Sequence, residues 1–323
     1  MTHLRKYLAA TAVAATLGLG ATAQAFPDQP ITIVVPFPPG GSTDLLARKL
    51  GDEMAKRLKT TVIIDNRPGA GGTIGSRQVA NAKPDGHTLV LGVTGSHSVS
   101  YSLYADPPYD PVKDFEAVSL IVNTPLVVAV NDQVPANNIS EFLDYARANP
   151  DKLTYGTPGN GTSMHLTGEM LDLAAGTKLV HVPYKGSAAA LNDMLGGQID
   201  FMFGDVLVLM PHLQSGKAKA LAVTGLQRHP MLPDVPTLAE SGVKDFEALS
   251  WQGLFAPAGT PQPVVDKLNS TVVEILNDPT VAAFISDQGA LVDTRSPKES
   301  TDFVAAETAK WADIVKKAEV PVN

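Results

Sequence analysis

ITIVVPFPPGGSTD, residues 31–44, decides how this chain is read. Ile31, Ile33, Val34 and Val35 are apolar on both faces of an extended segment, the pattern of a strand buried in a parallel sheet. Pro36, Pro38, Pro39, Gly40 and Gly41 stop that strand and fix an exposed loop. Ser42 or Thr43 then caps a helix whose apolar stripe is Leu46, Leu50, Met54 and Leu58. Such a loop aims free backbone N–H groups and the positive end of a helix dipole at one point. It contains no Arg or Lys, which suits a carboxylate better than a polyphosphate. Phe37, inside the exposed loop, has little reason to be core and is a candidate pocket wall.

The second half of the chain repeats the device. Residues 153–155 form a short strand, GTPGNG (156–161) a turn-rich loop, and Thr162 or Ser163 opens a helix with Leu166, Met170 and Leu173 on one side. Two strand–loop–helix units predict two lobes, each offering a helix N-terminus to one ligand between them.

Outside these units, composition narrows the classes. Residues 1–25 read as a signal peptide: His3, Arg5 and Lys6 at the start, a short apolar run, and Ala23-Gln24-Ala25 as the cleavage site, predicting export to the periplasm. No later segment reaches the roughly 20 apolar residues of a spanning helix. The absence of Cys excludes disulfides, thiol catalysis and Cys-ligated metal. Loss of Arg5 and Lys6 with the leader takes the formal charge from −8 to −10, which opposes nucleic-acid binding. An anion would bind against that field, but at about 0.15 M salt screening confines it to roughly 8 Å.

The pattern from residue 30 to 130 is β/α, with strands at 31–35, 61–65 and 88–93 and helices near 43–58 and 72–82. Residues 117–130 form a long apolar strand that carries the chain from one lobe to the other. The second lobe adds helices at 139–149, 163–174, 187–195 and 206–215 and strands at 179–182, 199–203 and 219–223. A second crossing at 249–256 returns the chain, after which it is nearly all helix. Thr260-Pro261, Asp278-Pro279 and Ser296-Pro297 each read as a cap followed by Pro at the first helical position, the last with Glu299 completing a capping box. The final stripe, Val304, Thr308, Trp311 and Val315, should pack back onto the first lobe. The expected division is 26–123 with 245–323 as a discontinuous first lobe and 124–244 as the second, joined by a two-strand hinge.

PFPPGGSTD (36–44), NRPGAGGTIGS (66–76), KPDGHTL (83–89), PYDPVKDF (108–115), LTYGTPGNGTSMHLTGE (153–169), HVPYKGSAAALNDMLGGQID (181–200), LAVTG (221–225), LPDVPTLAESG (232–242) and WQGLFAPAGTP (251–261) occur in that order. The set closely resembles the Bug-type receptors, the periplasmic solute-binding components of tripartite tricarboxylate transporters, over essentially the whole mature chain. The resemblance implies a type II periplasmic-binding-protein fold of two α/β lobes. It also implies capture of a small organic carboxylate and delivery to membrane permease subunits, by a monomer without chemistry or cofactor of its own. The implied grip comes from the two loops, here Phe37, Pro39, Gly40, Gly41, Thr43 and Asp44 with Thr157, Asn160, Gly161, Thr162 and Ser163. Dicarboxylates, tricarboxylates, acidic amino acids and aromatic acids all suit such headgroup loops.

Thr94 and Ser96 follow a strand whose C-terminal end faces the cleft in open α/β sheets, and Tyr184 holds the corresponding place in the second lobe. Asp205 would repel a carboxylate unless it orients water, pairs with an amino group or meets a protonated acid. Lys185 reads as a solvated rim charge. The Gly69–Gly75 run fails the G-x-G-x-x-G spacing, because Ile74 stands in the sixth position. The seven His residues form no HExxH and no cluster, so no metal is expected. An exported hydrolase acting on an ester or amide is the alternative. It lacks a G-x-S-x-G elbow, and Ser163 and His165 point to different helix faces.

Overall fold

The computed structural model describes residues 26–321, with the backbone alone at Leu207. The leader expected at 1–25 lies outside the described residues. The chain alternates strand and helix: β1 (Ile31–Val35), α1 (Ser42–Leu58), β2 (Val62–Asn66), α2 (Thr73–Ala80), β3 (Thr88–Val93), α3 (Thr94–His97) and the long β4 (Phe115–Val130). It continues through α4 (Ile139–Ala148), β5 (Thr154–Thr157), α5 (Ser163–Ala175), β6 (Val180–Pro183), α6 (Ser187–Leu195), β7 (Phe201–Asp205), α7 (Val206–Gln214) and β8 (Lys219–Val223). After β9 (Leu249–Pro257) come α8 (Gln262–Leu276), α9 (Pro279–Asp287), the two-residue β10 (Leu291–Val292) and α10 (Pro297–Lys317).

Two α/β lobes share β4. In one, β2, β1 and β3 run parallel and β9 is antiparallel between β3 and β4. In the other, β6, β5 and β7 run parallel and β7 and β8 pair antiparallel with residues 126–130 of β4. Strands β1 and β5 therefore point their C-terminal ends, and the helices that follow, toward the seam between the lobes. Ile31, Ile33, Val34 and Val35 are fully buried, as helix packing on both faces of a parallel sheet requires. Leu46, Leu50, Met54 and Leu58 of α1 join Ile275 and Leu276 of α8 in one core.

Several local expectations need correction. No hydroxyl caps α1: Gly41 is its N-cap, and the Asp44 carboxylate instead accepts from Gly40 N–H at 3.0 Å. Thr260 does not cap α8, because its hydroxyl donates to the Pro257 carbonyl and the helix begins at Gln262. Asp278 and the Ser296–Glu299 capping box do cap α9 and α10. Leu173 is exposed, while Leu166 is fully buried and Met170 half-buried as expected; α5 also buries Met164, Thr167, Gly168 and Leu171, an i, i+3, i+4, i+7 face. Residues 94–97 are a buried helical turn, and Asp205 is the last residue of β7.

The C-terminal helix does not stay on the first lobe. Val304 packs with Val34, Trp251 and Phe255, whereas Trp311 and Val315 enter the core built around Phe142, Tyr155 and Phe201. Glu307, midway, accepts from both indoles, Trp251 Nε1 at 3.2 Å and Trp311 Nε1 at 2.9 Å. Helix α10 is thus a strap across the seam, opposite in lobe assignment to its second half's expected place.

Candidate functional site

A cavity of about 340 Å³ lies at the seam. The starts of four helices line it: residues 37–43 before and at α1, Thr162 to Met164 at α5, Gly186 to Ala188 at α6, and Asp205 at α7. Among the described residues, no protein acceptor meets the N–H groups of Gly41, Ser42 or Thr43 at α1, nor those of Ser163 or Met164 at α5. Thr162 caps α5 by accepting from His165 N–H, so its oxygen already has a helix partner. Open donors on helices from opposite lobes converge on one space, where the two dipoles add.

The loop before α1 is held from behind. Asp44 is buried; its carboxylate accepts from Arg48 at 2.9 Å, Gly40 N–H at 3.0 Å and Asn66 Nδ2 at 3.0 Å. Burial works to raise its pKa, and the hydrogen bonds from Arg48, Gly40 and Asn66 outweigh it, holding the carboxyl below the usual range. Asn66 also donates to the Phe37 carbonyl at 3.1 Å. Asp44 therefore shapes the loop rather than lining the cavity.

Of the residues nominated from sequence, Phe37, Pro39, Gly40, Gly41, Thr43, Thr162, Ser163 and Asp205 line the cavity together. Asn160 and Gly161 face a neighbouring space of about 370 Å³, shared with Ala70, Gly71 and Tyr104. Thr94, the first residue of α3, packs against β9 and accepts from Trp251 N–H at 2.9 Å, and Ser96 accepts from Val93 N–H at 3.2 Å. Thr157 meets His181 Nε2 at 2.6 Å, and the Tyr184 hydroxyl donates to Asp193 at 2.8 Å. None of these four is among the residues that line the cavity. Sequence reasoning missed Ser250 and Gln252 of β9, Val208 of α7, and Leu191 and Asn192 of α6. Only the start of α6, a strand followed by Lys185-Gly186-Ser187, carried a readable signal, the same one that marked the first two loops.

Three solved structures share this architecture. The periplasmic binding protein BugD is 43% identical, with a TM-score of 0.84 covering 92% of this chain and 99% of its own. MatC from Rhodopseudomonas palustris with bound malate is 38% identical (TM-score 0.84, 90% and 100% covered). Another R. palustris protein, with adipate, is 35% identical (TM-score 0.86, 91% and 98% covered). The family model for the tripartite tricarboxylate transporter family receptor matches residues 46–320. The chain belongs to that receptor family. The tripartite tricarboxylate receptors are periplasmic solute-binding proteins, and the type II binding-protein fold expected from the sequence is the one observed.

Behind the α5 loop of this receptor, the imidazoles of His165 and His181 stack with ring centroids 4.0 Å apart. Gly161 N–H donates to His165 Nδ1 at 3.2 Å. Burial depresses His165 to about 4 and, with the neighbouring ring of His165, His181 to about 3. Both pKa values lie below the ordinary value near 6.5, so between those limits the unfolded chain binds more protons than the folded one. Stability is thus complete above pH 6.5 and falls as the pH drops toward 4, by about 1.4 kcal/mol per pH unit for His165. Urea midpoints measured from pH 7 to 4.5 should show this decline, with a shallower slope in His165→Asn. An equal slope in the variant would place the acid sensitivity elsewhere.

Proposed function

We propose that this receptor captures a small organic carboxylate between its lobes in the periplasm and passes it to membrane permease subunits. The observation that carries the reading is the pair of open helix N-termini, α1 from one lobe and α5 from the other, on a single cavity. Backbone donors of this kind hold an anion without a counter-charge, and among the described residues no Arg lines the space. Relatives whose structures hold malate and adipate support the ligand class. The lobes are assigned to residues 26–123 with 245–323, the second half of α10 crossing onto the other lobe, and to 124–244, the ligand drawing them together about β4 and β9. The leader is assigned to cleavage after Ala25. Its loss leaves a charge near −10, which opposes self-association and supports action as a monomer.

The protein is proposed to do no chemistry. Ser163, the cavity-lining hydroxyl two residues from His165, has its Oγ 3.5 Å from the Met164 sulfur, while His165 spends Nδ1 on Gly161 N–H. That leaves Ser163 without the base a nucleophile needs.

A thermal-shift screen over di- and tricarboxylates, amino acids and aromatic acids tests the reading. A ligand at 100 times its dissociation constant adds roughly 2.7 kcal/mol. Gly41→Val sharpens the test. Gly41 has φ −84, and a Cβ there meets nothing within 4 Å, so valine is tolerated and its methyls enter the cavity beside the N–H groups. Every carboxylate should weaken about 10- to 150-fold, the worth of one charge-assisted hydrogen bond, with the unliganded melting temperature near wild type. Unchanged ligand shifts in the variant would remove α1 from the site.

A further inference from the structure

Asp205 and Gln252 form a second polar feature in the cavity that a carboxylate headgroup does not explain. Asp205 ends β7 in one lobe and lines the cavity; its Oδ2 accepts from the hydroxyl of Ser42, in the other lobe, at 3.2 Å. It forms no ion pair among the described residues, and Lys185, the cation on the same lining, is exposed. Gln252, on β9, lines the cavity beside it, is 9% exposed, and its Oε1 has no hydrogen-bond partner among the described residues. Unpaired buried acceptors are costly, and a half-buried carboxylate without a cation also loses hydration. Burial correspondingly pushes the Asp205 carboxyl above its usual range, and the Ser42 hydroxyl only partly opposes this.

Position limits what can satisfy them. The Ser42–Asp205 contact places these acceptors against the first turn of α1, whose N–H groups await the carboxylate. The complementary donor must therefore sit on a carbon close to the carboxyl carbon. The rest of the lining is largely apolar, with Phe37, Met164, Leu191 and Val208.

We propose that the receptor takes α-amino carboxylates of neutral, largely apolar side chain, with the ligand ammonium held by Asp205 and Gln252 Oε1. This rests on the carboxylate-receptor reading above and names the ligand class within it. An ammonium brings three donors and one positive charge. One reaches Oε1 and one the Asp205 carboxylate, which then keeps its charge in a neutralised pair. A simple carboxylate would instead bring a second anion beside Asp205 and would bind only with uptake of a proton.

Calorimetry with matched trios on one carbon skeleton tests the assignment: leucine, 2-hydroxy-4-methylpentanoate and 4-methylpentanoate, and the same three for phenylalanine. Malate and adipate are run alongside. The expected result is that in at least one trio the amino acid binds 10-fold or more tighter than the unsubstituted acid, with no net proton uptake. Asp205→Asn should erase that preference, and Gln252→Leu should reduce it. Equal or tighter binding of the unsubstituted acids, with proton uptake near one seen from buffer dependence, would overturn the ammonium assignment. Binding of malate or adipate alone would overturn it too, while leaving the carboxylate receptor intact. Failure of every compound would count against the receptor reading itself.

Discussion

Gly95→Val should leave the protein folded and remove most of its ligand affinity. Gly95 lies in α3, and a Cβ there would stand 2.9 Å from the Gly161 carbonyl oxygen and 3.3 Å from Thr162 Cα. Both atoms are backbone of the loop that opens α5, so nothing flexible can give way. The lobes would be held apart by about the thickness of the new side chain, and a ligand seated on α1 would lose the donors of α5. Two charge-assisted hydrogen bonds at roughly 1.5–3 kcal/mol each correspond to more than about 100-fold in affinity. The unliganded protein can open at the seam, so its urea midpoint should stay near wild type. Calorimetry against a confirmed carboxylate, with the urea curve as control, reads both quantities. Wild-type affinity in Gly95→Val would mean that the ligand does not need the lobes this close. Gly71 is a poorer test: it too approaches the opposing loop, 2.9 Å from the Asn160 carbonyl, but its φ of +64 would strain any side chain.

Trp311→Ala should cost about 3–5 kcal/mol of folding stability, the range for deleting a large buried aromatic. Trp311 is fully buried in the second-lobe core although it belongs to a helix that begins on the first. Its loss opens a cavity at the seam and takes one of two indole donors from Glu307, whose carboxylate is buried. Urea unfolding measures the drop, with Leu173→Ala as control. Leu173 is 45% exposed, and its truncation should stay within about 0.5 kcal/mol. A loss below about 1 kcal/mol in Trp311→Ala would mean that α10 does not tie the lobes together.

Both variants act where distant segments meet, and there the sequence was least readable. Strands β1, β3 and β8 and helix α6 fall where hydrophobic period and Pro/Gly punctuation place them, because those signals are local. The Asp278 cap of α9 and the capping box of α10 are equally local, being satisfied within four residues. The cap of α1 was misread for a related reason. Ser42 and Thr43 have the right chemistry, but Asp44 is itself fixed by Arg48 and Asn66, and it claims the Gly40 N–H.

The sequence by itself determined that two strand–Pro/Gly-loop–helix units exist, that each ends in a helix start with open donors, and that no cation sits in the first loop. Each is a property of a short stretch of chain, written in residue type and spacing. Tertiary structure alone decided that β9 inserts between β3 and β4, which delivers Gln252 to the cavity from more than 200 residues beyond Phe37. It alone left Thr94, Ser96, Thr157 and Tyr184 outside the cavity lining, and laid α10 across both lobes. The physical reason is common to all three. Which neighbour a side chain meets depends on strand order and on the angle between lobes, and these are set by the summed packing of a whole sheet rather than by the residues beside it.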